Sequence, residues 1–360
     1  MPAERNATLE WLRGVAAVIV FTYHLTSVLG FGSLPFRGYI AVDFFFMLSG
    51  YVIAHTYTAR FDAGMRASTF LSRRLRRLYP LIILGLLLGA ASRLLAILVV
   101  HSHYDGMGRA IDILPVLGWG LLLLPFAGRA PGDGLIFPLD GPLWSLMFEL
   151  WANLAYALGW RRLGTAALAW LVAIAAAGVV AVSLAHGTLD GGTTWASLGV
   201  GLIRVVFGFS TGMLLQRLAD TPLRPLLPRV PAPALTLLLL LAFLPGPSAW
   251  GGVIDALAAT ILCPLVLMLG IADPLGARGR RIGLFAGALS YPLYTLHVPI
   301  FSHLLRLAAL PLGPRLAVLA VSIAAGLTLA WLAERFYDAP LRGWATSRGA
   351  GIGARSRVPT

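Results

Sequence analysis

Along the chain, apolar runs of about 20 residues alternate with short breaks rich in Arg, Gly and Pro. A helix rising 1.5 Å per residue needs roughly 20 apolar residues to cross a bilayer core. Ten segments meet or approach that length: 10–29, 38–57, 78–100, 142–160, 163–185, 195–217, 233–247, 253–272, 283–305 and 314–335. The seventh is short and lies between Pro-rich flanks. One further stretch, "ILPVLGWGLLLLPF" (113–126), is too short and too rich in Pro and Gly to span, and it reads as a re-entrant or interfacial segment. The pattern predicts an all-α membrane protein with about ten transmembrane helices.

Composition agrees. Of the 360 residues 58% are hydrophobic and only 12% charged, with a mean hydropathy of +0.81. Soluble domains carry about a quarter charged residues. The net charge of +13 would suggest nucleic acid, but it comes from arginine alone, with no lysine. That bias fits a GC-rich bacterial genome, and the position of the arginines accounts for the charge as topology. With the N-terminus inside, Arg5, the 60–77 cluster, Arg161, Arg162, Arg217, Arg224, Arg229, Arg278, Arg280, Arg281 and the C-terminal arginines face the cytoplasm. Only Arg37, Arg109, Arg129, Arg306 and Arg315 face outward, an asymmetry of about four to one. The expected location is therefore the bacterial cytoplasmic (inner) membrane, with both termini cytoplasmic. The first apolar segment is too long for a cleaved signal and reads as a true span. Cys263 is the single cysteine, so no disulfide framework is expected. Residues 1–340 form one membrane domain, and 341–360 read as a basic, disordered cytoplasmic tail.

Ionisable groups inside spans are costly and mark function by default. Six stand out: Arg13, His24, Asp43, Glu149, Arg204 and His297. Arg13 and His24 are eleven residues apart, so they share a helix face about 16 Å apart along the axis. Taken singly, Arg13 reads as snorkelling to headgroups and His24 as polar glue between helices. Depth changes that reading. Asp43 lies about 7 Å below the outer surface, Glu149 roughly 10 Å, and His24 and His297 roughly 9 Å each. Four polar groups from four helices thus fall in one layer. Ser145 lies one turn from Glu149, with Trp144 beside it. Arg204, near mid-membrane, needs a partner, and Glu149 is a candidate.

A second constellation, "FLSRRLRRLYP" (70–80), sits at the cytoplasmic mouth of the third span. Arg73 and Arg77 are at i,i+4, and arginine forks match phosphate oxygens. The plain alternative is an anchor on anionic headgroups. The remaining histidines lie near span ends or in loops, and no spacing supports a zinc site. No P-loop or dinucleotide fingerprint occurs.

These motifs resemble the acyltransferase-three family of integral membrane acyltransferases. "LEWLRGVAAVIVFTYH" is similar to its first-helix arginine–histidine signature, "VDFFFMLSGYVI" (42–53) to its second-helix motif and "RRLRRLYPL" to its arginine motif. "PLWSLMFEL", "LSYPLYTLHVPI" (289–300) and "ERFYDAP" (334–340) resemble the later motifs, in the family's order. The resemblance implies transfer of an acyl group, usually acetyl from acetyl-CoA, to a hydroxyl of a glycan or glycolipid. It implies no metal and no nucleic-acid partner. Some members carry an extracytoplasmic esterase-like domain after the last span. Here a short tail follows Pro340, so a separate periplasmic transferase partner is one expectation and action alone is the other.

The resemblance, together with the residues, implies roles. Arg73, Arg74, Arg77 and Tyr79 would hold the CoA end of an acyl-CoA donor, with Arg13 nearby. His24 would be the general base, or the nucleophile of an acyl-histidine variant, with Asp43 or Glu149 steadying the imidazole. Trp144, Ser145, Tyr294, His297 and Arg204 would line the acceptor pocket. The competing class is a transporter or flippase of a glycan or lipid intermediate, in which the same His, Asp and Glu residues couple protons. A catalytically inactive scaffold is the third reading.

Overall fold

The computed structural model describes residues 5–31, 36–100, 110–128, 134–221, 228–272 and 275–344. Arg109, Arg129, Arg224 and the tail from 345 onward lie outside the described residues. Within them the chain is helical, with one isolated bridge, Leu135 to Thr194, as the sole extended pairing. The helices are α1 (Ala7–Val28), α2 (Ala41–Asp62), α3 (Ala67–Val100), α4 (Ile113–Leu121), α5 (Leu143–Leu158) and α6 (Thr165–His186). They continue as α7 (Leu198–Ala219), α8 (Ala232–Leu241), α9 (Gly251–Leu257), α10 (Cys263–Gly270), α11 (Ala277–Phe301) and α12 (Leu312–Ala333). A π turn, Ala258–Leu262, joins α9 and α10 into one rod.

Eight of these rods are long and apolar enough to cross a membrane. Two more segments expected to span are shorter, α5 with 16 residues and α8 with 10. The chain is a multi-pass, all-α membrane protein. Its surface carries large apolar side chains such as Trp170, Ile174 and Val321, as a lipid-facing belt requires. The 113–126 segment is a nine-residue helix followed by a turn at Leu123, whose φ is +53°.

Two boundaries differ from expectation. Helix α3 begins at Ala67, not near 78, because Leu and Arg are good helix formers and carry the helix straight through Pro80. The arginine cluster therefore belongs to the helix itself. At the other end, α12 runs on through a π turn, Glu334–Asp338, to Trp344, past the expected domain limit at 340.

Close packing is built on small residues. A β-carbon on Gly50 would lie 2.1 Å from the Phe209 carbonyl oxygen, and one on Gly212 2.0 Å from that of Met47. Only glycine lets α2 and α7 touch backbone to backbone. On α1, a Gly14 β-carbon would lie 2.6 Å from that of Ala286 on α11. The Asn6 carboxamide caps α1 by accepting from the Leu9 N–H at 2.9 Å. Its amide also donates to the Gly270 and Ile271 carbonyls at the end of α10, so one side chain ties two helix termini together.

Candidate active site

Helices α1 and α11 run side by side in the same direction, and the polar groups line up along their seam. Near the arginine-rich end, Arg13 donates from Nε to Ser290 Oγ at 2.9 Å and from Nη2 to the Gly287 carbonyl at 2.5 Å. Glu10, one turn back, pairs with Arg13 at 2.6 Å. Further along the seam, the His24 and His297 rings lie 5.0 Å apart. The one-face relation of Arg13 and His24 thus holds in space, since both meet α11.

Beside this seam lies a cavity of about 120 Å³ between α1, α2, α3, α5 and α11. Arg13, Arg74 and Arg77 line one part of it, and Ser145 and Tyr294 another. At its waist Arg74 Nη2 meets Glu149 Oε1 at 2.6 Å, and Ser49 donates to the same oxygen at 2.8 Å. Arg74 Nε is buried and has no acceptor among the described residues. Arg13, Arg77 and Tyr291 also line a second cleft of about 460 Å³, where Arg5 and Arg342 face Glu334 and Asp338. The two spaces share those three side chains, so the basic mouth adjoins the polar waist.

Beyond the waist, Ser145 Oγ and the Tyr294 hydroxyl hydrogen-bond at 2.6 Å. The Tyr294 ring is 6.0 Å from that of His297. His297 is buried and its Nδ1 lies 2.9 Å from the Leu293 carbonyl. A carbonyl only accepts, so Nδ1 carries the proton and Nε2 presents a lone pair. That Nε2 has no partner among the described residues. His24 makes no hydrogen bond among the described residues and touches the Tyr23 ring at 5.2 Å.

The polar layer expected from depth is divided. Asp43 does not reach His24. Its Oδ2 takes Arg204 Nη2 at 2.7 Å, with both side chains fully buried. Arg204 also donates to the Gly191 and Tyr39 carbonyls and lies over the Trp144 ring. The partner of Arg204 is therefore Asp43, not Glu149, because α2 and α7 are in backbone contact while Glu149 turns toward α3. Each nitrogen of this guanidinium has an acceptor, and Trp144 is held between Phe46, Phe148 and Arg204. Glu149 likewise does not hydrogen-bond His24; it serves the arginine side of the cavity.

The arginine cluster is divided too. Arg74 is buried and Arg77 half-buried at the cavity, whereas Arg73 is exposed and does not line it. Tyr79 is half-buried, and Tyr291 is the tyrosine that lines both spaces, anchored by its hydroxyl to the Leu78 carbonyl at 2.6 Å. Sequence reasoning passed over Ser49, Ser290 and Tyr291. All three lie inside quoted motifs, but neutral residues in a span carry no burial cost that would single them out.

Fold and site together define an integral membrane protein with a basic mouth, a polar waist and a histidine pair inside the helix bundle. The chain belongs to the acyltransferase-three family: a family model described as an acyltransferase domain matches residues 6–335. It is 38% identical over 190 residues to "Protein 2 in picA locus" of Rhizobium radiobacter, a match covering 51% of this chain and 97% of that protein. It is 31% identical over 193 residues to "Acyltransferase MdmB" of Streptomyces mycarofaciens, covering 49% of this chain and 46% of that one. This second match spans about half the relative's length. No solved structure matches.

Proposed function

We propose that this protein moves an acyl group, most simply acetyl, from a cytoplasmic acyl-CoA to a hydroxyl of an extracytoplasmic or membrane-linked glycan, in the bacterial inner membrane. The observation that carries this reading is that the basic cleft at Arg5, Arg13, Arg77 and Arg342 adjoins, across the shared side chains of Arg13, Arg77 and Tyr291, the cavity that ends at Ser145 and Tyr294. Guanidinium groups at the mouth suit the phosphates of CoA. The narrower space beyond suits a thioester arm.

In the reaction the acceptor oxygen forms a bond to the thioester carbonyl carbon, and the carbon–sulfur bond breaks. The hydroxyl proton must leave, and the CoA thiolate must gain one. His24, at the outer end of α1, is the proposed base, and His297 with its free Nε2 lone pair is placed to share the proton. With Ser145 Oγ donating to the Pro142 carbonyl, the Tyr294 hydroxyl, resting on Ser145 Oγ, is the donor that turns to the developing oxyanion. Asp43 and Arg204 act in this scheme as a strut that holds α2 against α7. The closed network around Arg204 favours that over a substrate contact.

The test is CoA release by the purified protein given radiolabelled acetyl-CoA, with His24→Ala and Arg77→Ala alongside. Release by wild type, its loss in His24→Ala and a raised donor KM in Arg77→Ala support the reading. A protein that neither binds nor consumes acyl-CoA would overturn it and favour a proton-coupled transporter.

A further inference from the structure

At the end of the bundle opposite the arginine mouth lies a separate cavity of about 360 Å³. That is within the size range of small-molecule sites. Tyr23, Thr26 and Ser27 on the last turns of α1 form one wall. Phe31, Phe36, Arg37 and Tyr39 form a second, and Thr188 and Ser248 close the third. We propose that this cavity is the acceptor vestibule and that it binds a neutral sugar ring, which is the group acylated; this rests on the acyl-transfer reading above.

Three observations lead there. The first is the lining chemistry. Four aromatic rings alternate with hydroxyls of Tyr23, Thr26, Ser27, Tyr39, Thr188 and Ser248. A pyranose presents apolar C–H faces and a rim of hydroxyls, so it needs flat rings and mixed donors and acceptors together. A lipid tail needs no hydroxyls, and an anion needs an uncommitted cation. Here the one lining cation, Arg37, is already paired with Asp255.

The second is a neutralised wall. Arg37 is 5% exposed and lines the cavity. Its guanidinium is committed to Asp255, the Gly251 carbonyl and Tyr39. The lining thus presents no unpaired charge, as a neutral ligand requires.

The third is preorganisation. Asp255, fully buried, gathers Arg37, the Tyr39 hydroxyl at 2.8 Å, the Thr188 hydroxyl at 3.1 Å and the Leu189 N–H at 2.8 Å. One carboxylate thus fixes three lining side chains before any ligand arrives. Tyr23, held by its hydroxyl to Asp190 at 2.7 Å, sets its ring edge against both Tyr39 and His24. The Tyr23 ring thus lines this cavity and also meets His24.

The experiment uses the purified full chain in detergent and a panel of methyl glycosides of neutral hexoses and deoxyhexoses. Binding is followed by saturation-transfer NMR and acceptor KM by acetylated product. Ser248→Trp and Ser27→Trp fill the cavity from exposed positions and leave the Asp255 network intact. The expected result is binding of at least one glycoside, weakened at least tenfold by each tryptophan, with acceptor KM raised in step and the melting temperature unchanged. Wild type that binds none of the panel, or folded variants that bind as wild type does, would overturn the vestibule. Tryptophan-sensitive sugar binding without any acetyl-CoA turnover would uphold the sugar site but sink the acyl-transfer reading and, with it, the acceptor role.

Discussion

Arg74 of α3 and Glu149 of α5, 75 residues apart in the chain, close an ion pair at 2.6 Å across the waist of the cavity. Both are mostly buried. Breaking such a pair from one side leaves a stranded charge and costs about 3–5 kcal/mol, whereas replacing both partners with apolar residues is often neutral. Arg74→Met and Glu149→Met are each expected to lower the melting temperature of the purified protein. The double variant is expected to regain stability without regaining acyl transfer. Recovery of activity in the double variant would show that the pair is scaffolding alone.

The two histidines are expected to separate in their effects. His24 is partly exposed and makes no hydrogen bond among the described residues, so His24→Ala should leave thermal stability nearly unchanged. Its turnover should fall by roughly 10²–10⁴, the range for a lost general base. His297 is buried against Phe21 and tied to Leu293. His297→Ala should lose turnover and about 2–4 kcal/mol of stability together, as large-to-small changes in cores do. Parallel melting curves and turnover assays decide the matter.

Arg77 lines both the cavity and the mouth, whereas Arg73 is exposed. A charge-assisted hydrogen bond to phosphate is worth about 1.5–3 kcal/mol. Arg77→Ala should therefore raise the acyl-CoA KM by about 10-fold or more, and Arg73→Ala by less than about twofold. Equal effects would place the donor on the surface of α3 and not in the cleft.

Asp140 precedes α5 and is fully buried, with neither carboxylate oxygen partnered among the described residues. Its Oδ2 packs where a β-carbon on Gly85 would be, 2.8 Å away. Burial pushes its carboxyl well above the ordinary range. A carboxyl whose folded pKa is raised contributes its stability below the unfolded pKa, near 4, and loses it as pH climbs through the folded value. Asp140→Asn removes that dependence. Its melting temperature should exceed that of wild type at pH 8, and the gap should shrink toward pH 5. A gap constant with pH would show that Asp140 is ionised in the fold.

Much of this organisation was legible along the chain. The expected spans fall on helices, because burial of apolar runs in lipid is a local, additive cost that composition records. The shared face of Arg13 and His24 also holds, since 3.6 residues per turn fixes it within a single helix. Legibility ended where two helices had to be related. Counting residues put Asp43 and Glu149 at comparable depths, and depth alone placed both beside His24, whereas in the fold Glu149 meets Ser49, six residues further along α2 than Asp43. Asp43 pairs with Arg204 and Glu149 with Arg74, and their side chains serve opposite parts of the protein.

By itself, then, the sequence determined the membrane-spanning class, the periodic placement of the arginines and histidines, and the family. Partnership was decided by tertiary structure. Which of Arg73, Arg74 and Arg77 enters the cavity depends on the rotation of α3 about its own axis. That rotation is set by contacts such as Gly85 on Asp140 and Gly89 on Leu139. The wall around Asp255 joins residues from three distant segments. No local pattern foretells it, because hydrogen-bond satisfaction of a buried charge depends on what the fold brings within about 3 Å.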